Sequence, residues 1–580
     1  MATHEVTNQP RPRVDVDEYG TNIPLVEAVY RHDAAWAEDR LHETGRYVGT
    51  QAFQDDAERA NINTPQLHQF DRYGTRIDEV EYDESYHRVI AAALKRGAHA
   101  SAYNSPGPGA EVARAATFML FAQVEPGHAC PVSMTHSAVA SIRHNSELAE
   151  TWVPRLLSTD YAPDLRLGKK SALFGMAMTE KQGGSDIRAN TTQAVKAQDH
   201  YVLTGHKWFC SAPMSDGFLV LAQTDKGVTC FLVPRVLPDN SRNAFAIQRL
   251  KDKLGNKSNA SSEVEFDGTV GFLVGEEGRG VRTIIDMVSG TRLDSMLGST
   301  AGMRQATAEA VWHVRHRAAF GRTLIDQPAM TAVVADLALE TEAATATAMR
   351  VARAYDADAG AEEQAFRRIA TAVSKYWICK RGPGHAYEAL ECLGGNGYTE
   401  AFPLARRYRE QPVMAIWEGS GNVIALDLIR ALNTEPDAVT AFIDEVALAA
   451  GQNPVFDEHL AITEQRAREA ADLDPITAAA NARGLMADLA LALEASLLIR
   501  HAPAAVADLF VESRLGEGAR YGHLYGALPA GETSRRSSSE ARRRPLSAPG
   551  GRGSVVRSTR AAASRPRSAS PHRVRPTTEC

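Results

Sequence analysis

A glycine-rich stretch, Met178-Thr-Glu-Lys-Gln-Gly-Gly-Ser-Asp-Ile187, offers the first group of residues that could hold a ligand. It follows the apolar run Ala172-Leu-Phe-Gly-Met-Ala177, which has the composition of a buried strand. Paired glycines beside a hydroxyl residue let the backbone turn sharply and leave N–H groups unshielded for a polar planar ligand or a phosphate. The stretch therefore predicts one wall of a cofactor site, although Gly-Gly-Ser after a strand also forms ordinary turns.

A carboxylate that could act in such a site is Glu418, in the segment Ile416-Trp-Glu-Gly-Ser-Gly-Asn422. The segment lies at a break between a helical stretch that contains Arg406-Arg-Tyr-Arg409 and a helix that begins near Val423. A side chain at such a break can be aimed at a ligand, and a carboxylate aimed in this way can remove a proton. On the residues alone, a helix-capping acid is the alternative interpretation.

Five segments occur in the order found in acyl-CoA dehydrogenase flavoproteins, which this sequence resembles. Between the two segments above lie Gly205-His-Lys-Trp-Phe-Cys-Ser211, Arg317-Ala-Ala-Phe-Gly321 and Leu393-Gly-Gly-Asn-Gly-Tyr398. The sequences Thr-Glu-Lys-Gln-Gly-Gly-Ser-Asp at 179–186, Gly-His-Lys-Trp-Phe at 205–209 and residues 249–266 are similar to the adaptive-response (AidB) branch of that superfamily. The resemblance extends from about residue 5 to about residue 432 and is weaker beyond it.

The resemblance implies an FAD-containing oxidoreductase that removes hydrogens from the α and β carbons of a short or branched acyl-CoA. This reaction needs a base for the α proton, and a flavin must accept the hydride because no side chain can. In the family the base precedes a Gly-Ser or Gly-Thr pair, so the match assigns that role to Glu418. A second position that carries the base in some relatives holds Thr291 before Arg292 here, and a threonine hydroxyl cannot serve.

The same matching implies two groups of flavin contacts. The group expected at the isoalloxazine ring consists of Met178, Thr179, Gly183, Gly184, Ser185, Phe209, Cys210 and Ser211. The group expected at the pyrophosphate and adenosine of a neighbouring subunit consists of Arg317, Phe320, Gln327, Gly394, Gly395 and Gly397. Beside the base, the matching residues are Trp417, Gly419, Ser420 and Asn422. Without the resemblance, an exposed helix residue is an equally good interpretation of Arg317. A helix-to-helix turn is the corresponding interpretation of the Gly394 loop.

The elements that must position these residues change in kind along the chain. Helical apolar spacing predicts an N-terminal arm and helical domain over residues 1–170, and short β-rich runs predict a middle β domain over 171–275. Long helical patterns predict a bundle over 276–432. We therefore predict a mostly α fold with a central β-barrel-like domain, which is the acyl-CoA dehydrogenase architecture. Gly275-Glu-Glu-Gly-Arg-Gly280 fits a domain-joining turn better than a phosphate loop, because its spacing matches neither nucleotide fingerprint.

Two further segments follow the bundle. Residues 433–530 are Ala- and Leu-rich and predict an extra helical domain, such as the AidB branch carries. Residues 531–580 are rich in Arg, Ser and Pro and bury too little apolar surface to offset the entropy of ordering, so we predict a disordered tail. The abrupt change of composition is also what a changed reading frame would produce.

Composition places the protein among globular proteins with several domains. The 580 residues are 44% hydrophobic and 23% charged, and no apolar run suggests a membrane span or a secretory signal, so we predict a cytoplasmic protein with no membrane partner. The six cysteines form no C-x-x-C pair and accompany no His cluster, which predicts reduced, buried thiols and no metal site. The tail carries twelve Arg and three acids, so the net charge of −7 leaves −16 on residues 1–530.

A flavin site shared between chains implies at least a dimer, and tetramers are usual in the family. The AidB resemblance also implies an alternative function, a flavoprotein that binds and protects double-stranded DNA while dehydrogenation is vestigial. Arg430 and the arginines at 466, 468, 483, 500, 514 and 520 are the candidate phosphate contacts. Residues 433–530 contain fifteen acidic residues against six Arg, so exposed, solvated arginines are the other interpretation.

Overall fold

A computed structural model describes residues 3–522 and Tyr525, so the predicted disordered tail lies outside the described residues. The N-terminal region is an extended arm followed by eight helices and one β-hairpin. The helices are α1 (Ile23–Arg31), α2 (Glu38–Gly49), α3 (Gln51–Ile62), α4 (Glu84–Lys95), α5 (Ser101–Asn104), α6 (Ala110–Ala122), α7 (Ala129–Ile142) and α8 (Ser146–Leu156). The antiparallel hairpin joins β1 (Gln66–Phe70) to β2 (Arg76–Glu81).

Helices α6 and α7 form the centre of this region. Every residue of α6 is buried, as expected of a core helix that is mostly apolar, and its charged residues Glu111 and Arg114 pair with each other (2.8 Å). Residues 106–109, Pro-Gly-Pro-Gly, separate α5 from α6, because proline and glycine interrupt helices. The β1–β2 hairpin is not predicted, since its strands carry polar residues at most positions and leave no clear apolar alternation.

The middle region is a seven-stranded sheet in which five strands close into a barrel. Its strands are β3 (Phe174–Ala177), β4 (Gln193–Lys196), β5 (Tyr201–Ser211), β6 (Gly217–Thr224), β7 (Gly227–Pro234), β8 (Ala246–Leu250) and β9 (Ser261–Val274). Antiparallel pairing joins β4 to β5, β5 to β9, β9 to β7 and β7 to β6. One pair, Gln193 with Gln223, connects β6 back to β4 and closes the ring, while β3 and β8 pair on its edges.

The C-terminal bundle begins where the barrel ends. Its helices are α9 (Gly280–His316), α10 (Pro328–Arg353), α11 (Ala361–Glu391), α12 (Pro403–Met414) and α13 (Gly421–Thr434). A two-residue hairpin, β10 (Ala318–Ala319) with β11 (Arg322–Thr323), separates α9 from α10. Helix α9 packs against α7, α10 and α11, so one continuous core runs from the N-terminal helices into the bundle.

Four more helices continue the chain as α14 (Pro436–Ala447), α15 (Pro454–Asp472), α16 (Pro475–His501) and α17 (Ala504–Arg514). They pack on α10, α11 and α13, which confirms the predicted extra helical segment beside the bundle. The predicted fold class is confirmed as well: helices, a central β-barrel and a second set of helices follow one another.

Two expectations from composition concern the chain as a whole. Among the described helices, none combines the length and the apolarity that a membrane crossing requires. Cys130, Cys210, Cys230, Cys379 and Cys392 are buried and unbridged, which confirms the predicted thiols for five of the six cysteines. Cys580 lies outside the described residues.

Candidate active site

A buried ion pair fastens the glycine-rich stretch to the barrel. The ammonium of Lys207 donates to Glu180 (2.8 Å), and the backbone N–H groups of Thr191 and Thr192 donate to the same carboxylate (2.7 and 3.1 Å). Burial raises the pKa of Glu180, but the hydrogen bonds from Lys207 and Thr191 outweigh burial and bring the pKa well below its usual value. The carboxylate therefore stays ionised and holds the stretch against strand β5.

Glycine is required at position 184 by a close neighbour. A Cβ on Gly184 would lie 2.4 Å from Oγ1 of Thr179, well inside contact distance. The Thr179 carbonyl accepts a hydrogen bond from the backbone N–H of Trp208 (2.8 Å), and the Met178 carbonyl accepts one from the Asn190 amide (2.8 Å). These hydrogen bonds fix the loop along β5, beside Phe209, Cys210 and Ser211, which are also predicted to contact the flavin ring.

Successive side chains at the end of β5 point to opposite faces of the strand, so the predicted contact residues have different surroundings. The Phe209 ring is 49% exposed, whereas Cys210 is completely buried in the barrel core. A cofactor contact from Cys210 is therefore limited to its backbone. The Ser211 hydroxyl lies 3.3 Å from that of Ser261, which in turn lies 3.1 Å from Nζ of Lys253.

Lys253 and Cys130 extend this polar group toward Glu418. Burial lowers the pKa of Lys253 to about 8, with the Cys130 thiol opposing that shift. Burial likewise raises the pKa of Cys130 to about 12, with the charges of Lys253 and Glu418 acting on it in opposite senses. The thiol at the start of α7 is therefore within the electrostatic reach of both groups.

Glu418 occupies the turn between α12 and α13, where the sequence predicts a break. Its φ is +57°, a left-handed conformation that is unusual for a residue with a side chain. Its Oε2 accepts a hydrogen bond from the Thr291 hydroxyl on α9 (2.8 Å). Burial raises the pKa of Glu418, while that hydrogen bond and the charges of Lys375 and Arg292 oppose the rise without cancelling it.

Two cationic side chains bind the backbone carbonyls of this turn. Nζ of Lys375 donates to the carbonyls of Trp417 and Gly419 (2.8 Å each). Nε of Arg292 donates to the carbonyl of Glu418 (2.9 Å). Three consecutive carbonyls are thus held by two cations, one from α11 and one from α9.

The residues that flank Glu418 have different surroundings. Trp417 and Met178 both pack against the apolar cluster that contains Cys130 and Met134, so the Glu418 turn and the glycine-rich loop border the same cluster. The Trp417 indole N–H is buried and has no acceptor among the described residues. Gly419 has a φ of +104°, the Ser420 carbonyl accepts from Ile424 N–H at the start of α13, and Asn422 is exposed.

The second group of predicted contacts lies elsewhere. Arg317 follows the last residue of α9, which puts it 26 residues beyond Thr291 and about 39 Å away along the helix. The guanidinium of Arg317 donates to the Asn8 carbonyl of the N-terminal arm (2.5 Å). The next residues form the β10–β11 hairpin, so the alternative of an exposed helix residue is wrong. Within one subunit the two groups are not brought together.

Exposed rings and open glycines characterise this second region. Phe320 is 97% exposed and Tyr398 is 86% exposed. A Cβ added to Gly394 or Gly395 would meet no atom within 4 Å, whereas Gly397 is buried against the Leu390 carbonyl. The Gln327 amide donates to the Ala319 carbonyl (3.0 Å) and stabilises the hairpin.

Thr291, Arg292 and Lys375 are neighbours of Glu418 that the sequence does not single out as its partners. The Thr291 hydroxyl, which cannot itself act as a base, donates a hydrogen bond to the Glu418 carboxylate. Lys375 leaves a signal that could have found it, because a lysine within the apolar helical run Ile369 to Trp377 must be buried or paired.

The residues of both regions fit a large planar cofactor with a phosphate part. The half-exposed Phe209 ring and the orphaned indole N–H of Trp417 offer an aromatic face and an unused donor. The open space above Gly394 and Gly395 admits a close approach to backbone, as a pyrophosphate requires. The donor set therefore agrees with a flavin dinucleotide.

The candidate DNA contacts are largely engaged within the chain. Arg430 pairs with Asp427 (2.8 Å) and lies 3.8 Å from Glu435. Arg466 pairs with Asp488, Arg468 with Glu464, Arg500 with Glu445 and Arg514 with Asp336 and Glu340, while Arg483 donates to the Tyr376 hydroxyl. Phosphate binding by these arginines would compete with the intramolecular acids.

Three family models match the chain in order. The model described as "Adaptive response protein AidB N-terminal domain" matches residues 8–163. The acyl-CoA dehydrogenase middle domain matches residues 175–269, and the acyl-CoA dehydrogenase C-terminal domain matches residues 278–433. The three ranges cover the N-terminal helices, the barrel and the bundle.

Similar proteins agree with these models. AidB of Escherichia coli (strain K12) is 44% identical over 475 residues, which span 81% of this chain and 88% of AidB. The structure of Caenorhabditis elegans ACDH-11 in complex with C11-CoA has a TM-score of 0.81 at 24% identity and covers 93% of this chain and 97% of its own. An acyl-CoA dehydrogenase from Bacillus anthracis complexed with FAD has a TM-score of 0.64 at 17% identity, with 85% and 91% covered. The chain belongs to the acyl-CoA dehydrogenase family and, within it, to the AidB branch.

Proposed function

We propose that this chain is an FAD-dependent acyl-CoA dehydrogenase in which Glu418 removes the α proton of the acyl group. The observation that carries the proposal is the placement of this carboxylate on a left-handed residue between α12 and α13, hydrogen-bonded to α9. A strained backbone conformation persists only where its surroundings determine it, and such strain is concentrated at functional sites.

The electrostatics of Glu418 suit a general base. Burial raises its pKa, and a base is most effective when its pKa approaches the working pH. The Thr291 hydroxyl and the two cations oppose the rise, so the carboxylate keeps its ionised form at a lower pH than burial alone would allow.

FAD would be held by the β5 end and the glycine-rich loop at its ring, through Phe209, Ser211 and the backbone near Gly184. When bound, the flavin supplies the hydride acceptor for the β carbon of the acyl group. Support comes from the exposed Phe209 ring and the unpaired Trp417 indole. The fold neighbour from Bacillus anthracis is a complex with FAD.

The pyrophosphate and adenosine would be held by Arg317, Phe320 and the Gly394 loop of a neighbouring subunit. The separation of about 39 Å along α9 supports a site built from two subunits. Phe320 and Tyr398, both strongly exposed in the single chain, would then be covered. We propose a homotetramer, which sedimentation velocity of the FAD-loaded protein would test.

The proposed substrate is an acyl-CoA thioester. The C. elegans neighbour is a complex with C11-CoA, and its chain is aligned over nearly its whole length. A preference for a short or branched acyl group, and weak turnover, stay predictions from the sequence.

The decisive experiment is flavin reduction by a panel of acyl-CoA thioesters under anaerobic conditions, in the native protein and in Glu418→Gln. We expect a saturating acyl-CoA to bleach the flavin absorbance of the native protein, and the variant to react about 10²- to 10⁴-fold more slowly. Glu435→Gln is the matched control, because Glu435 pairs with Arg368 at the end of α13 and does not touch the turn. Unchanged reduction in Glu418→Gln would contradict the proposed base.

Double-stranded DNA binding, which the sequence resemblance implies, is the second candidate function, and the 63% exposed side chain of Arg430 is the observation that favours it. The acids paired with the arginines of α13 to α17 argue for weak binding by the folded part. Salt titrations of DNA binding by the protein with and without residues 531–580 distinguish binding by the folded helices from binding by the Arg-rich tail. Binding that disappears with the tail would leave the helices without this function.

A further inference from the structure

We propose that Lys375 is a positioning residue for the base: its buried ammonium clamps the turn that carries Glu418 and favours the ionised form of that carboxylate. The inference rests on the proposed role of Glu418 and adds a residue from α11 to the reaction.

The clamp is visible in the hydrogen bonds. Lys375 is 1% exposed, and its Nζ lies 2.8 Å from the carbonyl before Glu418 and 2.8 Å from the carbonyl after it. A single ammonium thus spans the residues on both sides of the base. Because the two carbonyls must converge on one point, the φ and ψ of Glu418 are restricted to a narrow range.

The left-handed φ of Glu418 explains why a clamp is needed. A residue with a Cβ is strained there, so it would relax to an ordinary conformation unless contacts hold it. Relaxation would turn the carboxylate away from Thr291, since side-chain direction follows the backbone. Arg292 secures the intervening carbonyl from the opposite helix, so α9 and α11 hold the turn together.

The charge of Lys375 has a second effect. Its two acceptors are neutral carbonyls rather than carboxylates, so the positive charge is not neutralised by an ion pair at those positions. Burial of such an ammonium is unfavourable, and an apolar side chain would fill the same space at lower cost. The nearby Glu418 carboxylate is stabilised by this charge, which therefore favours proton removal.

Lys375→Ala tests the clamp through rescue. We expect the rate of flavin reduction at saturating acyl-CoA to fall on the order of 10- to 100-fold, because misplacement of a catalytic group by about 1 Å has effects of that size. The dissociation constant for the acyl-CoA should change little. Added ethylamine should occupy the vacated space and restore part of the rate in Lys375→Ala, but not in Lys375→Met, whose side chain fills that space.

The pH profile separates positioning from a purely structural role. Without the ammonium the pKa of Glu418 should rise, so the limb of the rate profile that reports ionisation of the base should move to higher pH in Lys375→Met. Lys169→Met is the matched control: Lys169 is another buried lysine, but its ammonium pairs with Asp216 (2.8 Å). That variant should lose stability without moving the profile.

The outcomes distinguish the inference from the proposed function. Native flavin reduction that survives Glu418→Gln overturns the base itself. Loss of reduction in Glu418→Gln with native rates and profile in the Lys375 variants overturns the clamp alone. If Lys375→Ala, Lys375→Met and Lys375→Arg all fail to retain FAD absorbance, Lys375 is a structural residue and the inference is overturned. Rescue by ethylamine together with the shifted profile supports it.

Discussion

Glu418 shows how one carboxyl group is balanced between opposing effects. Burial alone would favour its protonated form, and the Thr291 hydroxyl and the neighbouring cations favour the ionised form. Burial is the larger effect, so the net pKa of Glu418 is raised even though three groups act against the rise.

Glu111, on α6, provides a pH-dependent test of stability at a single residue. Burial raises its pKa to about 8, with Arg114 opposing the shift and the carboxylates of Asp294 and Asp356 adding to it. Between the ordinary pKa of 4.5 and about 8, the folded state holds a proton that the unfolded state has lost. The free energy of unfolding should therefore fall as pH rises through this window.

Glu111→Gln removes that titration while keeping the shape of the side chain. Between pH 5 and pH 8 we expect the native protein to lose on the order of a few kcal/mol of unfolding free energy relative to the variant. Urea unfolding at each pH measures it. A difference that is independent of pH would show that Glu111 is ionised in the folded state.

At the residue scale, candidate site residues that belong to a sequence motif can be predicted, whereas the residues that contact them from distant helices cannot. Glu418, Phe209 and the glycine-rich loop are recognised because their neighbours in the chain form a pattern. Thr291 and Lys375 lie 127 and 43 positions from Glu418 and contact it only through helix packing. No local pattern can show which residues of α9 and α11 face that turn.

The glycine-rich loop is positioned by the element it lies on rather than by its own sequence. Glu180 anchors it to Lys207 of β5, and the Trp208 N–H fixes the Thr179 carbonyl. The loop can therefore present its backbone in one conformation, which lowers the entropy that a cofactor must remove on binding.

Gly184→Ala tests this element. The new Cβ would lie 2.4 Å from Oγ1 of Thr179, so the loop must shift against its anchor. We expect FAD affinity to fall about tenfold or more, measured by fluorescence titration of the apoprotein. In Gly384→Ala, a helical glycine with nothing within 4 Å, affinity should be unchanged. Equal affinity in both variants would exclude a role for loop geometry in cofactor binding.

The strength of apolar periodicity determines which elements can be predicted. The long helices of the bundle and strands β6 and β7 carry clear patterns and are confirmed. The β1–β2 hairpin is missed because most of its residues are polar. The β10–β11 hairpin is missed because strands of two residues are too short to show alternation.

At the scale of the whole molecule, amino-acid composition does not predict how the extra helices α14 to α17 are attached to the bundle. Arg514 at the end of α17 reaches Glu340 of α10 (3.0 Å) and also contacts Asp336, and Arg381 of α11 donates to the same Glu340 (2.7 Å). A buried cluster of charges therefore joins α17 to two helices of the bundle.

Arg514→Met should weaken this attachment. Removing one partner of a buried charge cluster leaves carboxylates under-compensated, and we expect a loss of about 3 kcal/mol in the free energy of unfolding. Faster proteolysis within α15 to α17 than elsewhere would locate the effect. Arg468→Met is the control, since Arg468 is exposed and lies 3.5 Å from Glu464, a surface pair worth less than about 1 kcal/mol. A similar small loss in both variants would show that apolar packing alone holds the segment.

The single Gln193–Gln223 pair that closes the barrel also has a kinetic consequence. The β5–β9 and β6–β7 ladders are long, whereas β4 has only four residues and is joined to β6 by one pair, so local opening should begin at β4. Amide protons of β4 should therefore exchange with deuterium before those of β7 and β9. Strand β4 follows the anchored glycine-rich loop directly. Transient loss of the β4–β6 pair would therefore loosen the loop that we propose holds the flavin ring, and would give the dinucleotide a route to enter and leave.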